Sequence, residues 1–488
     1  MVRGMLEMKL PALGTLVAWW LFAVSGWPVQ AQSAGEDLKS LEAFIPESGS
    51  WALLPNSTIE PAAKGPHGPL TSLGRDMCVE VNCTSWASVF TAWNGIAFDG
   101  RRIWALANGG HADYGGNEIY KFDLQFPDAG WSVEVPAQPL TGEFAHDSAG
   151  DGVDGACPRP ASGPMASHTY NGVVWSPRSQ DILWLGTAGY CRNGMGPSTA
   201  WVFDPKNETW IEQSDLDKLA RFARTEIDPS NGDIIVVSRQ YVYLIDPITK
   251  EVKRRSSRGR QVDGGGLAFD ARSRTLYATA RDAIYSTNIP ENGEFAGLKK
   301  LADVPGVKPA MGFAMHGPTG DFILWDGADK TYRWRSGDDQ LEELPVTSEA
   351  PNSTLRNRIY SQWKYVPGLD VFFGIVPKEG VWLYRVGHHD KQSTPATDAV
   401  IPAADTDASS GKLKQLPPPD SGPSVNTPFH DLCARPDTLL CDPLDKGEIS
   451  GPGITADTPL KTLPEALGAR YGSWRIGIDK TEISSKTQ

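Results

Sequence analysis

The sequence is poor in the features that most often announce a function. It holds no HExxH and no CxxC pair, and with 6 cysteines and 8 histidines in 488 residues a structural zinc site is disfavoured. Beyond the N-terminal leader no stretch approaches the roughly eighteen apolar residues that a membrane-spanning helix needs. Positive charge is in deficit: 46 Lys and Arg against 59 Asp and Glu give a formal net charge of -13. That argues against a general attraction to nucleic acid, which requires a basic footprint. A helix-favouring composition is missing too, because 50 glycines, 38 prolines and 17 tryptophans point to many turns and large aromatic side chains.

What is present begins with a leader. Arg3 and Lys9 precede the apolar "LGTLVAWWLFAVSG" and the small-residue "VQA", which predicts a secretory signal over 1–31 and a secreted or periplasmic protein. An uncleaved anchor is the alternative. The cysteines fall as three near neighbours, Cys78 with Cys83, Cys157 with Cys191 and Cys433 with Cys441. Export makes disulfides reasonable, although proximity is the only guide to pairing.

Six segments share one plan of strand, polar turn and strand: "NGIAFDGRRIWALANGG", "NGVVWSPRSQDILWLGTAG", "TEIDPSNGDIIVVSR", "GLAFDARSRTLYATAR", "GFAMHGPTGDFILWDG" and "SQWKYVPGLDVFFGIVP". A third alternating run follows each, as in "NEIYKFDL" and "QYVYLIDP", and several add a fourth near Trp131, Trp210 and Lys250. Such self-similarity predicts an all-β, six-bladed β-propeller over 40–387. The sixth unit lacks a fourth strand, which "GSWALLPNS" around Trp51 can supply, closing the ring and leaving no exposed edge. A seventh blade would have to hide between Pro61 and Thr91. Residues 388–428 read as a Pro/Ser/Thr-rich linker containing His388 and His389, and 429–488 as the opening of a jelly-roll-like β-sandwich.

Because strand direction alternates within a blade, the start of strand one, the turn between strands two and three and the end of strand four share one face of the ring. "GGHADYGG" places His111, Asp113 and Tyr114 there, and "SHTYNG" adds His168 and Tyr170 one blade along. Tyr190 and Arg192, Arg224, Arg239, Arg281, Lys330, Lys378, Arg358 and Tyr360 map to the same face. A cationic, aromatic mouth on an acidic body points to an anionic ligand. A neutral histidine suits proton transfer near neutral pH, a tyrosine hydroxyl can protonate a leaving oxygen, and an arginine can neutralise a carboxylate. Those are the parts needed for β-elimination in a uronic-acid polysaccharide, which makes an acidic polysaccharide the expected partner and a monomer the expected state. Plainer readings compete with this one. The glycines can serve a tight turn alone, His168 can be structural, and the arginines can be paired with acids such as Asp246 or Asp326. Four sequons, at Asn56, Asn82, Asn207 and Asn352, add no function.

The strings "NGGHADYGGNEIYKFD" and "SHTYNGVVW" resemble secreted Kelch-like propellers of the galactose-oxidase type, and among these the arrangement is similar to the propeller polysaccharide lyases, ulvan lyases included. The resemblance implies His111 and His168 as base and acid, Tyr190 or Tyr114 as a second proton carrier, and Arg224 or Arg239 as the carboxylate neutraliser. Asp113, Tyr114, Tyr170, Arg192, Arg239, Arg281, Arg358 and Tyr360 are the candidate substrate-binding residues. A glycan- or protein-binding propeller without catalysis is the alternative, and a copper radical oxidase would need two Tyr and two His ligands in one cluster. No cofactor or metal site is otherwise indicated.

Overall fold

The strands form where β-branched and aromatic residues accumulate, and the second strand of each unit is apolar on both faces. In Ile234–Ser238 all five residues are buried. Ile234 and Val236 pack against Leu183, Leu185 and Val202 of the preceding unit, whereas Ile235 and Val237 pack against Leu267, Phe269 and Leu276 of the next. Successive side chains of a strand point to opposite faces, so a sheet of this composition is stable only between two neighbours. Trp104 and Trp184 share one such layer, and Phe313, Phe322 and Trp334 share another.

The computed structural model of the protein describes residues 38–111, 113–141, 159–190, 196–262, 265–352 and 358–387. The expected leader, linker and C-terminal sandwich lie outside them, as do Arg192 and the Cys157–Cys191 and Cys433–Cys441 pairs. Blade one comprises Ala97–Phe98, Arg102–Leu106, Ile119–Asp123 and Trp131–Val135, and blade two Val173–Ser176, Asp181–Gly186, Thr199–Asp204 and Thr209–Glu212. Blade three is Arg224–Ile227, Ile234–Ser238, Tyr241–Ile245 and Val252–Arg255, and blade four Leu267–Asp270, Thr275–Ala280, Ala283–Asn288 and Lys299–Asp303. Blade five is Gly312–Met315, Phe322–Trp325, Thr331–Trp334 and Glu342–Glu343. Blade six takes Trp363–Val366, Val371–Val376 and Gly380–Arg385 from the end of the propeller and Ser50–Leu53 from its beginning, with Trp51 opposite Tyr384. The protein is therefore a six-bladed β-propeller with few helices, closed as the sequence predicts.

The stretch from Pro61 to Thr91 is not a further blade. It forms the short helices Glu60–Ala63, Pro69–Ser72, Gly74–Val81 and Ser88–Thr91. Proline stands in the first turn of the first two, where its missing N–H costs nothing. A disulfide joins Cys78 to Cys83 just past the third, under which Val81, Leu140, Met165 and Tyr190 form a satellite cluster. Among the described residues no helix is long and apolar enough to cross a membrane.

The face away from the mouth spends its acids as staples between blades. Lys250 reaches Asp181 at 2.8 Å, Arg274 reaches Asp228 at 2.5 Å, and His316 reaches Asp370 at 2.8 Å. Glu226 and Lys364, from the innermost strands of opposed blades three and six, approach to 3.8 Å.

Closure is the feature most open to test. Trp51 is 4% exposed and its ring lies 5.5 Å from Trp325, 5.7 Å from Trp363 and 4.8 Å from Tyr384. Trp51→Ala is expected to lower stability by about 3–5 kcal/mol, the range for emptying a buried aromatic site, as measured by urea unfolding.

Candidate functional site

The first blade's loop is built to lie on the second blade. Gly109 and Gly110 have φ of 156° and 96°, and a Cβ at Gly110 would stand 2.6 Å from the His168 nitrogen and 2.7 Å from the Ala188 oxygen. With glycine there, the Gly109 N–H donates to Ser167 O at 3.1 Å and the His111 N–H to Ala188 O at 2.9 Å. The result brings together the two histidines that the sequence places on successive blades. Their rings are 4.9 Å apart, and His168 Nε2 lies 3.1 Å from Asp113 Oδ2. His168 is 2% exposed, and its buried Nδ1 has no hydrogen-bond partner among the described residues. Nε2–H donating to the carboxylate is the tautomer this geometry favours, with the proton assigned by geometry.

Around this pair runs a collar of aromatic side chains. Trp93 stacks at 5.0 Å from His168, and the Arg358 guanidinium sits over the Trp93 ring, its Cζ 4.0 Å from the centroid. No carboxylate lies within ion-pair distance of Arg358 among the described residues. Tyr170 meets His168 at 6.0 Å, Phe222 at 5.2 Å and Tyr360 at 5.4 Å, all edge to face. Trp93, Tyr170, Phe222 and Tyr360 occupy equivalent places in the lead-ins "WNGI", "YNGV", "FART" and "YSQW" to four innermost strands, and all four have positive φ, from 47° to 54°. Each bulky residue held there costs about 1–2 kcal/mol, and His111 joins them at 47°. Strain of this kind persists only where surrounding structure imposes it. Here buried hydrogen bonds do so: the Gln362 side chain donates to Phe90 O and Asn94 O, Asn171 Nδ2 to Gly265 O, and Thr225 Oγ1 to Asn171 O. Trp93 and Phe222 escape the sequence reading because an aromatic residue ahead of an apolar strand reads as core. Aligning the four lead-ins is the signal that would have found them.

Four expected mouth residues, Tyr114, Tyr190, Arg224 and Tyr360, are buried instead. Tyr114 is 0% exposed and gives its hydroxyl to Glu118, which also accepts from Tyr120 at 2.6 Å, so it belongs to the core between blades six and one. Tyr190 is 5% exposed within the cluster beneath the disulfide. Arg224 is 0% exposed, and its guanidinium bonds to Thr279 O at 3.3 Å and to Val262 O, stapling blade three to blade four. Tyr114, Tyr190 and Arg224 sit at the correct end of the ring with side chains turned inward, and none can reach a ligand there. Arg239 and Arg281 are exposed on the rims of blades three and four, away from the histidines. Tyr360 is likewise buried, beneath Tyr170.

Burial, followed by the neighbouring His168, lowers the His111 pKa from 6.5 to about 4, against the opposing pull of Asp113. His111 is therefore neutral at neutral pH. Burial likewise raises the Glu118 pKa, with the Tyr114 and Tyr120 hydroxyls opposing, and burial and Glu118 push the Tyr114 hydroxyl well above its ordinary range. Among the described residues no group of three or more His, Cys, Asp or Glu side chains gathers as a metal site would require.

No protein-family model matches the chain, and no curated protein matches it. Among solved structures it is similar to an auxiliary nutrient binding protein from Bacteroides thetaiotaomicron, with 10% identity, 60% of this chain and 69% of that one covered, and a TM-score of 0.37. A fungal alcohol oxidase of the AA5 family, in complex with copper, shares 12% identity over 60% of this chain and 62% of its own, with a TM-score of 0.35. PorZ of the type-IX secretion system of Porphyromonas gingivalis shares 11% over 60% of this chain and 33% of its own, at 0.32. The match thus spans less than two thirds of the oxidase and of PorZ. At these values the likenesses carry no functional argument, and function has to be argued from the site.

Two titrations test the electrostatics. A histidine whose folded pKa lies below its unfolded value contributes stability that is present above 6.5 and lost as pH falls towards about 4. His111→Gln is expected to flatten unfolding free energy across that window, and NMR should show the His111 ring neutral until about pH 4. Glu118 has the opposite sign: its contribution is present below the ordinary glutamate range and lost as pH rises through the raised folded value. Glu118→Gln, which mimics the neutral acid, should abolish that loss in urea unfolding followed from acid to neutral pH.

Proposed function

We propose that the mouth binds a uronate unit of an acidic polysaccharide and cleaves the chain by β-elimination. The observation that carries this reading is one cluster holding a neutral imidazole, a second imidazole bound to a carboxylate, and an arginine with no acid beside it among the described residues. The resemblance of "NGGHADYGG" and "SHTYNGVVW" to the propeller polysaccharide lyases points the same way. The roles are redistributed from those the sequence suggests. Arg358 takes the place of Arg224 in pairing the substrate carboxylate, which acidifies the adjacent C–H. His111 accepts that proton, the carbon–carbon double bond forms as the β C–O bond breaks, and the Tyr170 hydroxyl protonates the departing oxygen. His168, tied to Asp113, orients the His111 ring. A pKa of about 4 makes His111 a weak base in the free protein, and an arriving carboxylate raises it. The Cys78–Cys83 disulfide supports an oxidising, extracytoplasmic setting.

A second reading, a glycan-binding propeller without turnover, is favoured by the burial of Tyr190 and Arg224, which removes two of the expected participants.

Ultraviolet absorbance of unsaturated uronate separates the two. On ulvan, alginate, pectin or glycosaminoglycans the first reading expects a rise that His111→Ala lowers by about 10²–10⁴-fold, the usual worth of a positioned acid or base. No rise on any of them, with measurable affinity that survives His111→Ala combined with His168→Ala, leaves only the binding module.

A further inference from the structure

Among the described residues, three arginines gather on the rim of blade three with no acid in ion-pair distance. The turn between strands two and three of blade three is Arg239–Gln240, bracketed by the pairing of Ser238 with Tyr241. The end of strand four returns to it, with the Gly259 N–H donating to Gln240 O at 2.8 Å and Arg258 Nε to Gln240 Oε1 at 2.5 Å. Arg255 lies opposite Tyr243 in the sheet and holds its guanidinium 4.8 Å from the Tyr241 centroid, and the two tyrosine rings are 6.1 Å apart. Arg239, Arg255 and Arg258 are exposed, and no carboxylate lies within ion-pair distance of any of them among the described residues. The other rims differ. Lys330 on blade five is bound to Glu343 at 2.9 Å, Arg281 on blade four is followed by Asp282, and Lys378 on blade six by Glu379.

This rim is continuous with the mouth. Arg224 pairs with Val237, so the lead-in of blade three and the Arg239 turn emerge together. Phe222, against Tyr170, carries the exposed Arg221 at 5.7 Å from its ring.

We propose that the rim of blade three is a second subsite, where Arg239, Arg255 and Arg258 pair with the anionic groups of a polysaccharide chain that runs outward from the mouth. The choice of a sugar polymer rests on the reading of the mouth given above, and the anion-binding role of the rim rests on its own charge. The Arg255 guanidinium over the Tyr241 ring can still present N–H groups to a carboxylate or sulfate, as can the exposed Arg239 and Arg258. Three exposed guanidinium groups on a body of net charge -13 suit a chain with sparse charge. A nucleic acid, with a phosphate at every residue, meets more repulsion from the same body.

The test measures affinity for long polygalacturonate and for a short oligogalacturonate, using the full chain and the combined Arg239→Ser, Arg255→Ser and Arg258→Ser variant. Removal of three charge-assisted contacts is expected to weaken the polymer about 10- to 100-fold and leave the short oligomer unchanged. Exposed positions of this kind are not expected to alter the thermal midpoint, and Arg239→Gln alone should show a smaller loss of the same length dependence. Unchanged polymer affinity, or equal loss at both lengths, overturns the proposal. Single-stranded DNA of matched charge binding the wild type more tightly than polygalacturonate overturns the assignment to a sugar chain. The reading of the mouth fails separately: rim-dependent binding of polygalacturonate with no unsaturated product from any polymer sinks elimination and sustains the rim.

Discussion

The whole structure depends on burying both faces of every sheet. A strand such as Ile234–Ser238 offers no polar face, so each blade needs a neighbour on either side, and an open row would leave two apolar sheets in water. Closing the row into a ring meets that requirement at no further cost in surface, and the pairing of Ser50–Leu53 with Gly380–Arg385 completes it. The position of the site follows. The same closure draws Trp93, Tyr170, Phe222 and Tyr360, distant along the chain, over one axis, and the hydrogen bonds of Gln362, Asn171 and Thr225 hold their backbones in the left-handed region.

The blade plan was legible because a strand announces itself by local patterning and turn residues, and antiparallel alternation then sorts the loops to two ends without coordinates. That reasoning placed His111 beside His168 correctly. It was blind to the direction of side chains. Tyr114 lies three residues from His111, yet a loop has no fixed periodicity, and its ring dives to Glu118 while the half-buried imidazole stays beside His168. Strand direction assigns Arg224 to the mouth end but carries nothing about its depth. Backbone carbonyls of blade four supply its hydrogen bonds below the surface instead. The short helices between Pro61 and Thr91 were missed because no apolar period in that stretch is long enough to distinguish them from a worn strand pair.

Charge is distributed with the same economy. Asp181 and Asp228 are tied to Lys250 and Arg274 of adjacent blades, and Asp370 to the His316 ring, on the face away from the site, so part of the acidity seen in the composition is structural. At the mouth and along blade three, arginines lie against tryptophan and tyrosine rings. A ring holds a guanidinium in place without neutralising it, so the positive field there survives on a protein whose total charge is negative.

The clasp in blade six also bears on how the molecule comes into being. The strand that begins the propeller finds its partner only when the last blade has been made, so the earliest-synthesised part of the domain must wait, unpaired, for the latest. Contacts so remote in sequence slow folding and leave a sticky edge on the nascent chain until the two meet.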